Sequence, residues 1–333
     1  MRSWRTLAAA AIAVLVVAGA CTSAATTAPT AAPTAAPTAA PTTAPTAAPT
    51  AAPTAAPTAA PTAAPTPTPA PTPVAVVPPD QLDFPGKVQI CSDIPYPPQE
   101  YFDDQGNPIG SDIEIGQEIA KRLALEPVIV NSVFDTIIAA VNSGKCDIII
   151  SAQNITADRL KQVDMIPYFS AGQSFVVLKG NPLGIKTELD LCGKNIAAES
   201  GTTEVDYVQG TGDYKDSGGL LKLCVDAGKP APVAKVYQKD SDAFLAMQSG
   251  QVDTYFADAP VAGFYVKEQG AQFELSGINV NAIMEGISVP PTKPGLRDAI
   301  KAALLSMIND GTYKAILDKY NIGEGAITAD QVK

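Results

Sequence analysis

Residues 146–164 read CDIIISAQNITADRLKQVD, and the change of character inside this stretch decides the fold. Ile148, Ile149 and Ile150 form a continuous β-branched run. A short run without polar alternation suits a strand buried on both faces, as in a parallel sheet covered by helices. It gives way at once to Ser151, Ala152, Gln153 and Asn154, then to a short predicted helix carrying Arg159. Ligands of open α/β sheets bind beyond the carboxyl ends of the strands. The stretch therefore reads as a core strand that delivers a binding site.

The flanking sequence repeats the pattern. KVQICS (87–92) and PVIV (127–130) read as strands, and SDIEIGQEIAKRLAL (111–125) as a helix with Ile115, Ile119 and Leu123 on one face. FDTIIAAVNSG (134–144) reads as a helix closed by Gly144. Beyond residue 172 a second unit begins: strands at QSFVVLKG (173–180), NIAAES (195–200), APVAKVY (231–237) and VDTYFAD (252–258), with helices between. AAVNSGKCDIII and LAMQSGQVDTYF share one layout of helix, Ser-Gly and Asp-led strand. GISV (286–289) and two helices near 295–309 and 312–320 end the chain. Alternating strands and helices predict an α/β protein with parallel-rich sheets.

The N-terminal quarter is different. Residues 1–20 have the Arg2/Arg5 start and apolar centre of a secretory signal peptide. Small residues before Cys21 resemble the lipobox of bacterial lipoproteins, which implies lipidation of Cys21; a plain secretory signal is the alternative. Residues 24–79 repeat AAPT with few interruptions, a composition without charge and with almost no large apolar side chains. Extended polyproline II would let this stalk reach roughly 150 Å. We take 21–85 as lipidated N-terminus plus stalk, and the protein as exported, membrane-tethered and monomeric.

The formal charge of −11 argues against a nucleic-acid partner. Histidine is absent and no CxxC occurs, so neither metal, cofactor nor a histidine-dependent nucleophile is expected. Four cysteines remain in the folded part, which allows three pairings. Cys192 and Cys224 lie in loop-like sequence of one half and are expected to pair. Cys91 and Cys146, at opposite ends of two strands, are expected to be free.

The strand ends collect a definite chemistry: Asp93 and Tyr96 after the first, Ser151 to Asn154 and Arg159 after the third, Thr202 and Thr203 at a helix start, and Asp258. A free amino acid needs a guanidinium for its carboxylate and a carboxylate for its ammonium. Arg159 and Asp258 supply them, Thr203 adds a hydroxyl, and Tyr96 and Phe134 can close over a side chain. Each also has a plainer reading: Arg159 a solvated charge, Asp258 and Thr202 helix caps, Tyr96 and Phe134 core.

SDIPYPPQEY, GSDIEIGQEIAKRL, FDTIIAAVNSGKCDIIISAQNITADRLKQVD, AESGTTEVDY, SGQVDTYFADAPVAGFYV and DGTYKAILDKY together resemble the polar amino acid-binding proteins of ABC importers, extracellular solute-binding family 3. The resemblance implies a two-lobed periplasmic-binding-protein fold of type II, with lobe 1 formed by 86–172 and 283–333 and lobe 2 by 173–282. It implies a ligand carboxylate on Arg159, Thr203 and the Asn154 backbone, an ammonium on Asp258 and the Ala152 carbonyl, and a side-chain pocket of Asp93, Tyr96, Phe134 and Glu204. It also implies delivery to an ABC permease and no catalysis. Asn154 replaces the usual serine or threonine, and Gln99 the usual phenylalanine. Asp93 and Glu204 lean the ligand toward arginine, lysine or ornithine; a glutamine-like ligand, a dehydratase using Glu204 as base, and a sensor domain are the alternatives.

Overall fold

The computed structural model describes residues 74–332. The signal peptide, Cys21 and the AAPT repeats up to residue 73 lie outside the described residues. Strand β1 (Lys87–Ser92) leads through β2 (Tyr101–Phe102) and β3 (Pro108–Ile109) to α1 (Ser111–Arg122), β4 (Glu126–Asn131), α2 (Ile137–Asn142) and β5 (Ile148–Ile149). The long β6 (Asp164–Leu178) is followed by β7 (Asn195–Glu199), α3 (Thr203–Gln209), α4 (Gly219–Asp226) and β8 (Val233–Tyr237). Then come α5 (Asp240–Gln248), β9 (Thr254–Asp258), α6 (Ala259–Glu268), the long β10 (Phe273–Val289), α7 (Pro294–Asp310) and α8 (Thr312–Lys319).

The principal sheet has the order β4-β1-β5-β10-β6-β9-β7-β8. β1 pairs in parallel with β4 and β5, and β7 in parallel with β8 and β9. Between these two parallel sets runs an antiparallel ribbon of β6 and β10. β10 meets β5 at Ser288 and Ile149, while β6 meets β9 from Gln173 to Val176. The ribbon thus belongs to both lobes of an α/β fold. Its register shifts between Val280 and Ile283 and again between Glu285 and Gly286. The expected lobe divisions after residues 172 and 282 fall in this crossing stretch.

The opening run behaves as a core strand. Ile148 and Ile150 pack with Ile90, Ile115 and Ile119 on one face, and Ile149 packs with Ile137 and Val141 of α2 on the other. All three isoleucines are fully buried. Burial of each contributes about 1.5–3 kcal/mol.

Several expectations need correction. The sheet is mixed, because β6 and β10 pair antiparallel with each other and with β9 and β5, and both are much longer than QSFVVLKG and GISV. Pro167, Gly172, Gly277 and Gly286 interrupt the alternating pattern that would have marked them. Gly286 is needed there, since a Cβ would lie 2.8 Å from Ile155 Cγ1. Arg159 stands in successive turns, not on a helix; Val163 N–H reaches the Arg159 carbonyl, and Thr156 Oγ1 accepts the Arg159 N–H at 3.1 Å. Residues 74–85, assigned to the stalk, lie on the domain: Val77 is buried, Asp83 N–H bonds Asp147 at 2.8 Å, and Gly295 N–H bonds Gln81 at 3.0 Å.

Cys91 and Cys146 are bonded, with Cα atoms 5.8 Å apart. Cys146 sits in the turn before β5 and not on the strand, so strand register does not hold it away from Cys91. Cys192 and Cys224 pair as expected, their Cα atoms 5.5 Å apart across 32 residues. A loop of that length implies a stabilisation of roughly 3–4 kcal/mol from the restricted unfolded chain. The Cys192→Ser/Cys224→Ser double variant should lose about that much, read as a lower urea midpoint with little change in slope.

Candidate functional site

The parallel sets point their carboxyl ends at one cleft. Asp93 follows β1, and its N–H bonds Ser151 Oγ at 2.8 Å while its Oδ2 accepts the Phe134 N–H at 2.7 Å. Ser151, just beyond β5, donates in turn to Glu100 Oε1 at 2.7 Å. From the other lobe come Glu199 at the end of β7, Thr203 and Glu204 at the start of α3, and Asp258 at the end of β9. Asp93, Tyr96, Phe134, Ser151, Ala152, Asn154, Arg159, Thr202, Thr203, Glu204 and Asp258, all the residues expected from sequence, line this cleft together. Glu100 and Glu199 line it as well.

Direct bonds span the cleft. Tyr96 Oη donates to Asp258 Oδ2 at 2.9 Å and accepts the Asp258 N–H at 3.1 Å. Asn154 Nδ2 donates to Thr203 Oγ1 at 2.8 Å. Arg159 donates to the Asn154 carbonyl at 2.7 Å and the Gly201 carbonyl at 3.0 Å, with its Cζ 5.2 Å from the centre of the Phe134 ring. The cavity between is about 10 Å³, the space of roughly one water. A hollow of about 450 Å³ beside Phe169 and Phe264 is larger, but Lys267 and Glu324 are its only charged lining residues. Polar groups converge in the small cleft and not in the large one.

The plainer readings can be judged here. Asp258 stands at the N-cap of α6 but makes no side-chain cap bond. Thr202 does not cap α3 with its side chain either; its hydroxyl donates to the Glu199 carbonyl at 2.7 Å. Asn154 Oδ1, Gln173 Oε1 and Glu204 Oε1 are buried without a hydrogen-bond partner. Such groups are uncommon in folded proteins and are costly where they occur.

The electrostatics are one-sided. Five carboxyl groups, on Asp93, Glu100, Glu199, Glu204 and Asp258, share the cleft lining with one guanidinium. Burial lifts Asp258 to about 6 against the Tyr96 hydroxyl bond, and burial followed by the nearby Asp258 holds Glu204 well above the carboxylate range. Beneath the floor, Asp112 accepts the Ala152 N–H at 2.9 Å and a Tyr168 hydroxyl bond at 2.5 Å, and burial raises it to about 6. Gln99 Nε2 donates to Glu285 at 2.6 Å in the same buried cluster. Among the described residues no group of three or more His, Cys, Asp or Glu is placed to hold a metal ion.

Glu100 and Glu199 escaped the sequence reading. Glu199 stands in the quoted strand end ESGTTE, so the strand-end rule that picked Asp258 applies to it too. Glu100 carried no such signal, since it reaches the cleft from the loop that follows Tyr96.

The chain belongs to the bacterial extracellular solute-binding proteins, family 3, whose model matches residues 88–324. It is 27% identical over 235 residues to the ABC transporter arginine-binding protein 1 of Escherichia coli (strain K12), covering 68% of this chain and 86% of that one. Two solved structures are 34% identical: an ancestral arginine-binding protein bound to arginine, with a TM-score of 0.62 over 71% of this chain and 98% of that one, and an ancestral arginine-binding protein bound to glutamine, at 0.63 over 72% and 99%. The fold is accordingly the two-lobed type II architecture of periplasmic amino acid-binding proteins.

Raised carboxyl pKa values have a stability consequence. A carboxyl that holds its proton more tightly when folded stabilises the fold fully below its unfolded pKa, near 4, and this is lost as pH rises through the folded value. For Asp112 and Asp258, near 6, and Asp240, near 7, each rise corresponds to roughly 3 kcal/mol or more. The ligand-free protein should therefore lose at least about 2 kcal/mol of unfolding free energy between pH 5 and pH 8, measured by urea denaturation.

Proposed function

We propose that this protein is an extracytoplasmic receptor that captures one free amino acid, preferably arginine, lysine or ornithine, between its lobes and delivers it to an ABC permease. Lipid on Cys21 and the AAPT stalk would hold it at the membrane. The observation that carries the reading is the charge arrangement of the cleft: Arg159 on one lobe, Asp258 on the other, and four further carboxyl groups between them.

Arg159 takes the ligand carboxylate with Thr203, through charge-assisted bonds of the kind guanidinium makes best. Asp258 and the Ala152 carbonyl take the ammonium, while Glu204 Oε1 and Asn154 Oδ1 offer acceptors for further N–H groups. Phe134, already under the Arg159 guanidinium, and Tyr96 enclose the side chain. The cleft is too small for an amino acid as it stands, so binding involves opening and reclosure by hinge motion, as in other binding proteins of this kind. The Tyr96–Asp258 and Arg159–Gly201 bonds are then exchanged for bonds to the ligand. The excess of carboxyl groups favours a cationic side chain. A neutral amide such as glutamine is the second reading, supported by the relative that was solved with glutamine.

Calorimetric titration with the twenty amino acids tests this directly. Arginine or lysine should bind most tightly, and Arg159→Ala and Asp258→Asn should each weaken binding by at least about 100-fold, since each leaves a buried ligand charge unpaired. Failure of all twenty to bind, or unchanged affinity in Arg159→Ala, would overturn the proposal.

A further inference from the structure

Holding the α-carboxylate and α-ammonium of an amino acid leaves Glu199 without a role. We infer that Glu199 and Asp93 form a two-carboxyl subsite across the cleft, holding one proton between them, that exchanges this proton for the positive charge of a ligand side chain. Glu199 is then the residue that sets preference for cationic over neutral ligands. The inference rests on the amino acid-binding reading above and names the specificity element of the same site.

The two carboxyl groups come from opposite lobes, Asp93 beyond β1 and Glu199 at the end of β7, and are 5% and 6% exposed. Both line the same small cleft. Two buried carboxyl groups with so few cations near them do not both ionise, so one of the pair keeps a proton. Each is fixed from behind by a backbone donor: Phe134 N–H on Asp93 at 2.7 Å, and Asp240 N–H on Glu199 at 3.1 Å.

The surroundings explain why the proton stays. Behind Glu199 stands the buried Asp240, whose carboxyl accepts bonds from the Tyr255 and Tyr265 hydroxyls. Tyr237 lies beside Glu199 in register on β8, and Glu100 lines the same cleft. Lys239 is the cation on the Asp93 side, its Nζ donating to the Ile94 carbonyl at 3.1 Å. One ammonium therefore faces four carboxyl groups. Burial and then Asp240 lift Glu199 to about 10, and burial raises Asp93 as well.

A guanidinium or ammonium entering this subsite supplies the missing positive charge. Glu199 gives up its proton to solvent, two carboxylates then share the cation, and the charge in the subsite balances: one cation enters and one proton leaves. A neutral amide has no charge to exchange and hydrogen-bonds to the protonated pair instead. Asp258 meets the ammonium of every amino acid, so any proton it releases is common to both ligand classes. The difference between arginine and glutamine isolates the Asp93–Glu199 pair.

The test is calorimetry of the mature lipid-free chain between pH 6 and pH 8, in buffers of different ionisation enthalpy. Arginine should release about one proton more than glutamine, and its Kd should tighten by close to tenfold more per pH unit than that of glutamine. Glu199→Gln should weaken arginine by at least about 100-fold and remove its extra proton release, while glutamine, which loses a hydrogen-bonding partner but no charge pair, weakens far less; Glu199→Asp should restore part of the release. Arginine binding by the wild type with no more proton release than glutamine overturns the inference while leaving the receptor reading intact, whether or not any variant folds. Absence of binding to every amino acid overturns both.

Discussion

The antiparallel ribbon of β6 and β10 is the element on which the rest of the molecule depends. It alone pairs with a parallel set on each side, through β5 at one end and β9 at the other. Within a parallel set all strands end at the same edge, so Asp93 and Ser151 emerge together on one lobe and Glu199 and Asp258 together on the other. The ribbon joins the sets so that these edges face. A cleft formed in this way has functional groups from both walls. It also has a continuous hydrogen-bonded connection beneath it, whose register shifts between Val280 and Gly286 give the crossing its irregular strand.

That geometry concentrates charge of one sign. Five cleft carboxyl groups, with Asp112 and Glu285 buried below and Asp240 behind, leave the site well short of cations. Isolated ionised carboxylates are too expensive to bury. The structure answers with hydroxyl and amide donors: Tyr168 on Asp112 and Glu285, Gln99 on Glu285, Ser151 on Glu100, Tyr255 and Tyr265 on Asp240. Gln99, a departure from the expected phenylalanine, is thereby explained: a phenyl ring would leave Glu285 without that donor. The remaining demand for positive charge is what the proposed cationic side chain would meet.

Much of this was legible before any coordinates, and for a physical reason. The Ile148–Ile150 run, the polar residues after it and Arg159 lie within one short stretch, where a buried strand must end and polar groups must begin. Asp93 and Asp258 follow from the same rule. What was missed depends on longer-range facts. The extent of β6 and β10 is set by pairing between residues 95 to 125 positions apart, which overrides the local interruptions at Pro167 and Gly286. The Cys91–Cys146 bond depends on a turn rather than on strand register. Residues 74–85 follow directly on the repeats and carry three prolines, so they read as stalk, yet Val77, Gln81 and Asp83 each find a partner on the folded surface. Glu199 ends a strand as Asp258 does, so the pattern that marks Asp258 marks it as well.

The bonds that cross the cleft also bear on affinity. Tyr96 with Asp258, Asn154 with Thr203, Arg159 with Gly201 and Lys239 with Ile94 already join the two lobes. A ligand that takes over Arg159 and Asp258 does not add its contacts to an empty site; it replaces protein–protein bonds of similar kind. Its affinity is the difference between the two sets, less the cost of reopening the lobes. Asn154 differs from both exchanged pairs, because its amide spans to Thr203 where a serine is too short to reach as far. It can hold the lobes together while Arg159 and Asp258 change partners. Asn154, where the resemblance leads one to expect serine or threonine, thus falls on a contact between the two walls of the cleft.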